Sequence, residues 1–483
     1  MRILHTSDWH LGQYFYGKSR ANEHQQFLSW LLEQALLHEV SAIIVAGDIF
    51  DTSTPPSYAR EMYFDFIAKL HKNACQLIIV AGNHDSVAML AESQSVLSNL
   101  STNVVTHVVP ISPSYDDVGG ETEHQSKALK QQVFTLNNKQ AKAQAVICAI
   151  PFVRPRDVIK SKAGQSANEK QQSLQQAIAE HYQTLYQHAQ LLVEKIEQAQ
   201  GQTVPIIATG HLTALGVSVS DSKSDSVRDI YIGSLEAFPA AAFPPADYIA
   251  LGHIHRAQRV AKSEHIRYCG SPIALSFDEA KQQKKVLLVE FSGDKLEQVE
   301  ELIIPCFQPL YMVKTSVDDL ERNLKSTLVQ FEFEQQKSKT ISSTCKAWLD
   351  IEIEHGGHLT DLSQRVSELV SDMPLEVLLV RRCKRARKHQ QSQWLAQDNS
   401  MLSELSLQDV FDSRLAQFDW QSDDELARKA RLQQLFTELS QEVESLSPSN
   451  ESKIDIGITD ANVDKNSQSK TNVGVATIEQ QNS

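Results

Sequence analysis

Residues 42–51 read AIIVAGDIFD, and they give the strongest indication of the fold. Its first five residues form an unbroken apolar run, which is typical of a strand that is buried on both faces of a sheet. Gly47 then predicts a turn that presents Asp48 at the end of the strand. A carboxylate there could bridge two metal ions, or it could simply cap the following helix. A lone Gly-Asp would favour the cap, so the interpretation depends on whether the pattern recurs.

The same pattern recurs at four other places in the first half of the chain. Each time an apolar run leads into a turn and then into a side chain that can bind a metal. These side chains are Asp8 and His10 after residues 1–7, Asn83, His84 and Asp85 after 77–81, His211 after 205–209, and His253 and His255 after 248–251. Ligand sites of open α/β sheets lie at the carboxyl ends of strands. The five strand ends are therefore expected to lie side by side around one crevice.

Length and charge narrow the class of protein. A chain of 483 residues predicts more than one domain, and 46 basic against 60 acidic residues give a net charge of −14. This balance argues against a surface built as a whole to bind a polyanion, so any nucleic acid would need a local basic patch. Residues 381–388 are such a basic run, which is interpreted either as a solvated edge or as a patch that follows phosphates.

Cysteine usage and hydropathy bear on the compartment. The six cysteines show no paired spacing, which predicts neither a disulfide framework nor a zinc ribbon and favours a reducing environment. No apolar run reaches the length of about 18 residues that spans a membrane. The first residues also lack a signal-peptide core. The sequence therefore predicts a cytoplasmic protein with no membrane partner.

The order of the predicted elements divides the chain into four parts. Strands alternate with helices over residues 1–305, including single helices over 87–100 and 167–200, and this pattern predicts a layered α/β domain. A small α/β domain is predicted over 306–390 and a helical pair over 400–445. Residues 446–483 are rich in Ser, Asn, Gln and Asp, which predicts a disordered tail.

The helical pair has two apolar faces. The residues on these faces are Leu407, Val410, Phe411, Leu415, Leu432, Leu435, Phe436 and Leu439. Their spacing follows the period of an amphipathic helix. The two faces could pack on their own domain or dock on another protein.

Seven of the recurring side chains form a candidate metal site. The predicted ligands are Asp8, His10, Asp48, Asn83, His211, His253 and His255. If Asp48 bridges two metal ions, the seven residues supply eight metal–ligand bonds, four for each ion. Asp8 and His10 are two residues apart, and so are His253 and His255. Because side chains two positions apart in an extended chain point the same way, the two members of each pair are expected to point in one direction. Imidazole, carboxylate and amide oxygen without thiolate favour Mn²⁺, with Fe or Zn as alternatives.

Two ions about 3.5 to 4 Å apart could hold a hydroxide nucleophile and clamp a phosphoryl group. The predicted reaction is therefore hydrolysis of a phosphate ester. His84 follows the ligand Asn83 directly, so its side chain should diverge from the metals and reach the substrate, where it could protonate the leaving oxygen. Asp51 or Asp85 could orient His84.

The five motifs Asp-x-His, Gly-Asp-x-x-Asp, Gly-Asn-His-Asp, Gly-His and Gly-His-x-His, in this order, resemble those of the calcineurin-like metallophosphoesterase superfamily. The resemblance implies an α/β/β/α sandwich with a small α/β capping domain and a C-terminal helical pair. Longer stretches are similar to the DNA nuclease branch of the superfamily. They read DWHLG at 8–12, GHLT at 210–213, RDIYIG at 228–233, ALGHIHR at 250–256, CGSPI at 269–273 and LSFDE at 275–279.

The nuclease resemblance implies a manganese-dependent exonuclease on DNA duplex ends that is also an endonuclease on single strands and hairpins. Its expected partner is a coiled-coil ATPase, bound through residues 402–444, with a homodimer of the nuclease inside a heterotetramer. Helices over 58–71 and 87–100 would form the dimer. Carried over by position, one ion would be bound by Asp8, His10, Asp48 and His255. The other ion would be bound by Asp48, Asn83, His211 and His253. His84 carries over as the catalytic histidine.

Two other functions fit parts of the sequence. A phosphatase or phosphodiesterase of the same superfamily could act on a phosphoprotein or a small molecule. A non-catalytic scaffold for DNA ends could keep the fold without the reaction. The stretches around His211 and Ser271 argue against the first, and the full set of ligands with His84 argues against the second.

Overall fold

The computed structural model describes residues 1–108, 129–159, 166–214, 237–338, 340–354, 362–382, 411, 415 and 428–437. The chain divides into two compact units, Met1–Gln391 and Ser392–Ser483. The first unit contains every predicted metal ligand. Among the described helices, none combines the length and the apolar character needed to cross a membrane.

The first sheet of the larger unit has six strands. In chain order they are β1 (Arg2–Thr6), β4 (Ala42–Ala46), β5 (Gln76–Val80), β6 (Thr102–Val105), β13 (Lys285–Ser292) and β14 (Lys295–Ile303), and their order in the sheet is β14-β13-β1-β4-β5-β6. The four N-terminal strands are parallel, and the last two form an antiparallel hairpin beside β1. One face packs against the helices α1 (Ala21–Leu37) and α2 (Ser57–Lys72), whose Leu31 and Phe66 are buried in the shared core.

The second sheet also has six strands. They are β7 (Val133–Asn137), β8 (Ala143–Cys148), β9 (Ile206–His211), β10 (Tyr248–Gly252), β11 (Gln258–Arg259) and β12 (Ile266–Tyr268), and their order is β11-β12-β10-β9-β8-β7. The long helix α6 (Ala167–Gln200) packs against one face through Leu174, Ile178 and Leu185. A capping box of Ser166 and Glu169 starts this helix, and Gly201 ends it in the left-handed conformation.

A third apolar cluster takes residues from both sheets. It holds Ile44 of β4 together with Ile207 of β9 and Ala250 of β10. The neighbours Ile43 and Val45 belong instead to the cluster that contains α1 and α2. Successive side chains of a strand point to opposite faces, so an unbroken apolar run is required where both faces of β4 are covered.

A smaller parallel sheet follows with the order β15-β16-β17, formed by Leu310–Thr315, Ala347–Ile353 and Leu375–Arg382. The helices α7 (Leu320–Lys337) and α8 (Leu362–Val370) bury Leu324, Phe331 and Val366 in its core. The short hairpin β2-β3 (Tyr14–Phe15 and Lys18–Ser19) reaches this sheet, where Phe15 stacks on Trp348 with ring centroids 5.7 Å apart.

The predicted helix over 167–200 is confirmed at both ends. The predicted single helix over 87–100 is wrong, because the chain forms two short helices, α3 (Val87–Glu92) and α4 (Gln94–Ser98). Ser93 ends the first and begins the second, and Ser86 caps the first by accepting a hydrogen bond from Met89 N. A further short helix, α5 (Pro155–Val158), follows β8. The strand β7 was not predicted from the sequence.

The second unit is described at only a few positions. Its helical backbone runs over 428–437, and the rings of Phe411 and Phe436 stack 3.9 Å apart. Leu415 is buried, whereas Leu432 and Leu435 are 37% and 45% exposed. The predictions for Leu407, Val410, Leu439 and the tail over 446–483 lie outside the described residues.

Candidate metal centre

Five strand ends meet at one place, as the sequence predicts, but they come from two sheets. The ends of β1, β4 and β5 belong to the first sheet, and the ends of β9 and β10 belong to the second. Backbone pairing continues past β1 and β4, because Asp8 N donates to Gly47 O and His10 N donates to Asp48 O at 2.9 and 3.1 Å. The loops that carry the candidate ligands are therefore fixed by the sheets themselves.

The titratable side chains form three overlapping groups whose potential ligand atoms lie within 4.8 Å of one another. The groups are Asp8 with His10 and His255, His10 with Asp48 and His84, and Asp48 with His211 and His253. Asp48 and His10 each belong to two groups. Asp8, His10, Asp48 and His211 are all buried, with at most 2% of their surface exposed.

Asn83 joins the third of these groups through its amide oxygen. Its Oδ1 lies 3.0 Å from His211 Nε2 and 3.1 Å from His253 Nδ1. His211 Nε2 in turn lies 3.2 Å from Asp48 Oδ2. Ligand atoms that are each about 2.1 Å from one ion are themselves about 3 Å apart, so these separations have the right size for a shared metal.

The tautomer of His211 tests whether a cation fits this group. Its Nδ1 lies 2.8 Å from the carbonyl oxygen of Ala46 and must donate to it, because a carbonyl only accepts. In the neutral ring, Nε2 then carries a lone pair and faces the lone pairs of Asp48 and Asn83 oxygens. Three lone pairs at this spacing repel one another unless a proton or a metal ion lies among them. The donor set therefore fits a divalent metal, and the backbone of β4 orients the histidine for it.

The electrostatics at these residues favour bound positive charge. Burial by itself would lower the pKa of His211, but the Asp48 carboxylate outweighs burial and raises that pKa to about 9. Burial opposes a charge on His10 in the same way, and Asp51, Asp48 and Asp8 raise its pKa to about 9. Although burial would raise the pKa of Asp48, the nearby histidines, His211 first, hold it well below its ordinary value.

Both ring nitrogens of His10 are buried close to carboxylates. Nε2 lies 3.7 Å from Asp48 Oδ2 and Nδ1 lies 3.4 Å from Asp51 Oδ1. Within the described part of the chain, neither buried nitrogen forms a hydrogen bond. A buried polar group without a partner costs free energy of about 1 to 3 kcal/mol, and a metal ligand bond would remove this cost.

The extended geometry predicted for the two residue pairs is wrong. Asp8, His10 and His253 have positive φ values of 53°, 48° and 93°, and so does Asp48 at 51°. Non-glycine residues rarely adopt this left-handed region, and such strain is concentrated at functional sites. Asp8 and His10 nevertheless belong to one group, whereas His253 and His255 belong to different groups.

Glycines that precede the candidate ligands make room for the neighbouring strand ends. A Cβ on Gly252 would lie 1.9 Å from the carbonyl oxygen of Ala46, and a Cβ on Gly47 would lie 2.1 Å from His211 Nδ1. The two sheets therefore approach each other through glycine backbone at the metal centre. This explains why the turns before Asp48 and His253 require glycine.

His84 lies at the edge of the site and is half-buried. Its backbone N–H donates to Asp48 Oδ1 at 2.9 Å, and its ring Nδ1 lies 2.9 Å from the carbonyl oxygen of Asp51. Because that oxygen can only accept, Nδ1 carries the proton of the neutral ring and Nε2 is the other available nitrogen. Asp51 therefore orients His84 through its backbone, while its side chain lies beside His10.

Asp85 connects two of the loops at the site. Its carboxylate accepts backbone N–H groups of Gly82, Ile49 and Phe50 at 2.8, 3.2 and 3.0 Å. It therefore ties the loop after β4 to the loop after β5. The contact to the ring of His84 comes instead from the carbonyl oxygen of Asp51.

Glu279 is a residue of the site that the sequence did not single out. It lies in the short 3-10 turn Phe277–Glu279, and its Oε1 is 3.4 Å from His255 Nδ1. The stretch LSFDE that contains it carries a family resemblance, which assigns no role to the glutamate. Nothing in its spacing shows that the glutamate reaches a histidine 24 positions earlier in the chain.

Two family models match the chain. Residues 1–257 match the family model described as calcineurin-like phosphoesterase, and residues 306–418 match the one described as type 5 capsule protein repressor C-terminal domain. The first match covers more than half of the chain, so the protein is a calcineurin-like phosphoesterase.

Curated relatives narrow this class to one family. The sequence is 48% identical over 440 residues to SbcD, a subunit of the nuclease SbcCD, of Escherichia coli (strain K12), covering 90% of this chain and 97% of the relative. The relative of the same name from Rhodobacter capsulatus is 32% identical over 298 residues (61% and 67%), and that from Bacillus subtilis is 26% identical over 319 residues (65% and 73%). The chain belongs to the SbcD family.

Proposed function

We propose that this chain is a metal-dependent DNA nuclease that hydrolyses phosphodiester bonds as an SbcD-type subunit. The observation that carries the proposal is the pair of His and Asp groups that share Asp48 at the strand ends. Two-metal sites of this kind serve in-line displacement at phosphorus. The relatives that cover most of the chain are named as nuclease subunits.

The proposed ligands of one ion are Asp8, His10, Asp48 and His255, and those of the other are Asp48, Asn83, His211 and His253. Mn²⁺ is the metal that we propose, because the set mixes imidazole, carboxylate and amide oxygen and has no thiolate. Bound there, two divalent ions would supply charge stabilisation at the phosphoryl oxygens and a water nucleophile at neutral pH.

His84 is proposed as the catalytic residue that meets the leaving oxygen. Its Nδ1 donates to the backbone of Asp51, which leaves Nε2 to hold or give a proton at the substrate. The hydrogen bond from its backbone N–H to Asp48 fixes its position relative to the metal ligands. Catalysis and metal binding are thereby assigned to adjacent residues, His84 and Asn83.

The finer architecture follows the same family. We propose an α/β/β/α sandwich over residues 1–305, supported by the cluster that takes residues from both sheets and by helices on their other faces. A capping domain over 306–390 is supported by its separate core. The proposal includes a helical segment over 400–445, a disordered tail over 446–483 and a cytoplasmic location.

The proposed partners are an SbcC-type coiled-coil ATPase and DNA. The chain would form a homodimer within a heterotetramer and act as an exonuclease on duplex ends and an endonuclease on single strands and hairpins in DNA repair, recombination and replication. Support for a docking role of the helical segment comes from Leu432 and Leu435, which are partly exposed. Phe64 of α2 and Val96 of α4, which are 41% and 62% exposed, lie on the helices proposed for the dimer.

Nuclease assays with Mn²⁺ test this function directly. Hairpin, duplex and single-stranded DNA would be incubated with the full chain, with and without the ATPase and ATP, and with Asp48→Ala as the inactive control. We expect metal-dependent cleavage of single-stranded DNA by the chain alone and ATP-stimulated cleavage of duplex ends with the ATPase. Hydrolysis of phosphopeptides or small phosphate esters with no cleavage of DNA would favour the phosphatase alternative. Absence of any hydrolysis with two metals bound would favour a DNA-end scaffold.

A further inference from the structure

A buried carboxylate lies behind one of the proposed metal ligands. Glu279 Oε1 is 3.4 Å from His255 Nδ1, and Glu279 is only 7% exposed. His255 belongs to the group that also contains Asp8 and His10. In the proposed site, the other ring nitrogen of His255, Nε2, would then bind the ion.

Glu279 is itself held by three donors at its second oxygen. Oε2 accepts from Lys284 Nζ at 2.6 Å, from Leu275 N at 3.1 Å and from Ser271 Oγ at 3.4 Å. With Oε2 held by these donors, Oε1 is the oxygen that faces the ring of His255.

The backbone of His255 is fixed by the same residues. Its carbonyl oxygen accepts from Ser271 N at 3.1 Å and from Lys284 Nζ at 3.2 Å. Lys284 thus contacts both the backbone of His255 and the carboxylate that faces its ring. This arrangement fixes the position and the rotation of the imidazole together.

We propose that Glu279 is a positioning residue that orients His255 for the ion it shares with Asp8 and His10, with Lys284 and Ser271 holding the glutamate in place. The inference rests on the dinuclear site of the proposed function. Histidine ligands of metals commonly donate their second N–H to a carboxylate, and loss of that carboxylate typically weakens metal binding about 10- to 100-fold. His211 uses the backbone oxygen of Ala46 in this role, whereas His255 depends on a side chain that a substitution can remove.

The test is a titration of the metal-free full chain with Mn²⁺ by calorimetry. Wild type should bind two ions, and Glu279→Gln should raise the dissociation constant of one of them about 10- to 100-fold and leave the other unchanged. Glu301→Gln is the matched control, because Glu301 pairs with Lys285 at the same 2.6 Å but is remote in the chain from every proposed ligand. It should leave both dissociation constants unchanged.

A second variant avoids leaving the buried ammonium group of Lys284 without a counter-ion. Glu279→Gln leaves Lys284 without its carboxylate, which can destabilise the fold. The double variant Glu279→Gln/Lys284→Met removes both charges and should show the same selective weakening. Unchanged binding of both ions in the double variant would overturn the proposal. Equal weakening of both ions, together with a lower unfolding temperature of the metal-free chain, would also overturn it and assign Glu279 a structural role.

The Mn²⁺ dissociation constants test the role of Glu279 independently of the nuclease assays. If the wild-type chain binds two ions but cleaves no DNA, the proposed nuclease function fails, and the dissociation constants still decide the role of Glu279. If it binds fewer than two ions, both proposals are overturned.

Discussion

The carboxylate of Asp48 lies 3.2 Å from Nε2 of His211, although the two residues end strands of different sheets. The other nitrogen of His211 donates to Ala46, which directly precedes the Gly-Asp turn of β4. One strand end therefore supplies both a proposed bridging ligand and the group that orients its neighbour. The metal centre depends on the close approach of these two sheets.

Loss of Asp48 should affect metal binding more than loss of a ligand proposed for one ion. In Asp48→Ala, each ion loses one bond, whereas His10→Ala removes a bond from a single ion. We expect Mn²⁺ occupancy of purified protein to fall at both positions in the first variant and at one position in the second. Elemental analysis after dialysis measures the difference, and equal occupancy of the two variants would argue against a bridge.

His84→Gln should separate catalysis from metal binding. Glutamine can still accept or donate hydrogen bonds near the carbonyl of Asp51, but it cannot transfer a proton as imidazole does. We expect turnover on single-stranded DNA to fall about 10²-fold or more while both ions and the unfolding temperature are retained. Loss of an ion from this variant would instead identify His84 as a metal ligand. Metal content is therefore measured as well, because His84 lies beside His10 and Asp48.

Gly252→Ala should disrupt the contact between the sheets. The new Cβ would lie 1.9 Å from the carbonyl oxygen of Ala46, which is backbone and cannot rotate away. We expect the unfolding temperature and the Mn²⁺ affinity to fall together. Gly293→Ala is the control, because no atom of the described residues lies within 4 Å of a Cβ placed there. It should cost only the roughly 1 to 2 kcal/mol of a positive φ. A variant at 252 that is as stable as this control would contradict the close approach.

Charges on the helical segment should separate partner binding from basal activity. The double variant Phe411→Glu/Phe436→Glu disrupts two rings that stack on each other, so it tests the segment as a whole. Leu432→Glu/Leu435→Glu changes partly exposed side chains and should leave the segment folded. Because burying a large apolar side chain contributes about 1.5 to 3 kcal/mol, either double variant should abolish a micromolar to nanomolar complex.

Copurification with the ATPase and ATP-stimulated cleavage of duplex ends measure this loss, and Mn²⁺-dependent cleavage of single-stranded DNA should be unchanged. If Leu432→Glu/Leu435→Glu lowers basal cleavage or the unfolding temperature instead, these side chains serve the chain's own fold.

The sequence alone was enough to predict most of the strands around the site and the residues that could bind metal, although it missed β7 and the division between α3 and α4. Apolar runs such as residues 42–46 predict buried strands because backbone pairing and two covered faces require them. Each of the five runs ends in a turn with a metal-competent side chain, so local order along the chain was sufficient to select all seven proposed ligands. The helix over 167–200 could also be predicted from local sequence, because its capping box, its apolar spacing and Gly201 all lie within it or at its ends.

The orientation of these residues and the contacts that support them follow from the tertiary fold and not from the local sequence. The left-handed backbone at Asp8, His10 and His253 depends on packing between sheets, because an isolated chain would avoid it. The contact between Glu279 and His255 and the one between His211 and Ala46 join residues that are far apart in sequence. Such contacts leave no periodic trace along the chain, because they are fixed by how two sheets meet and not by the spacing of neighbours.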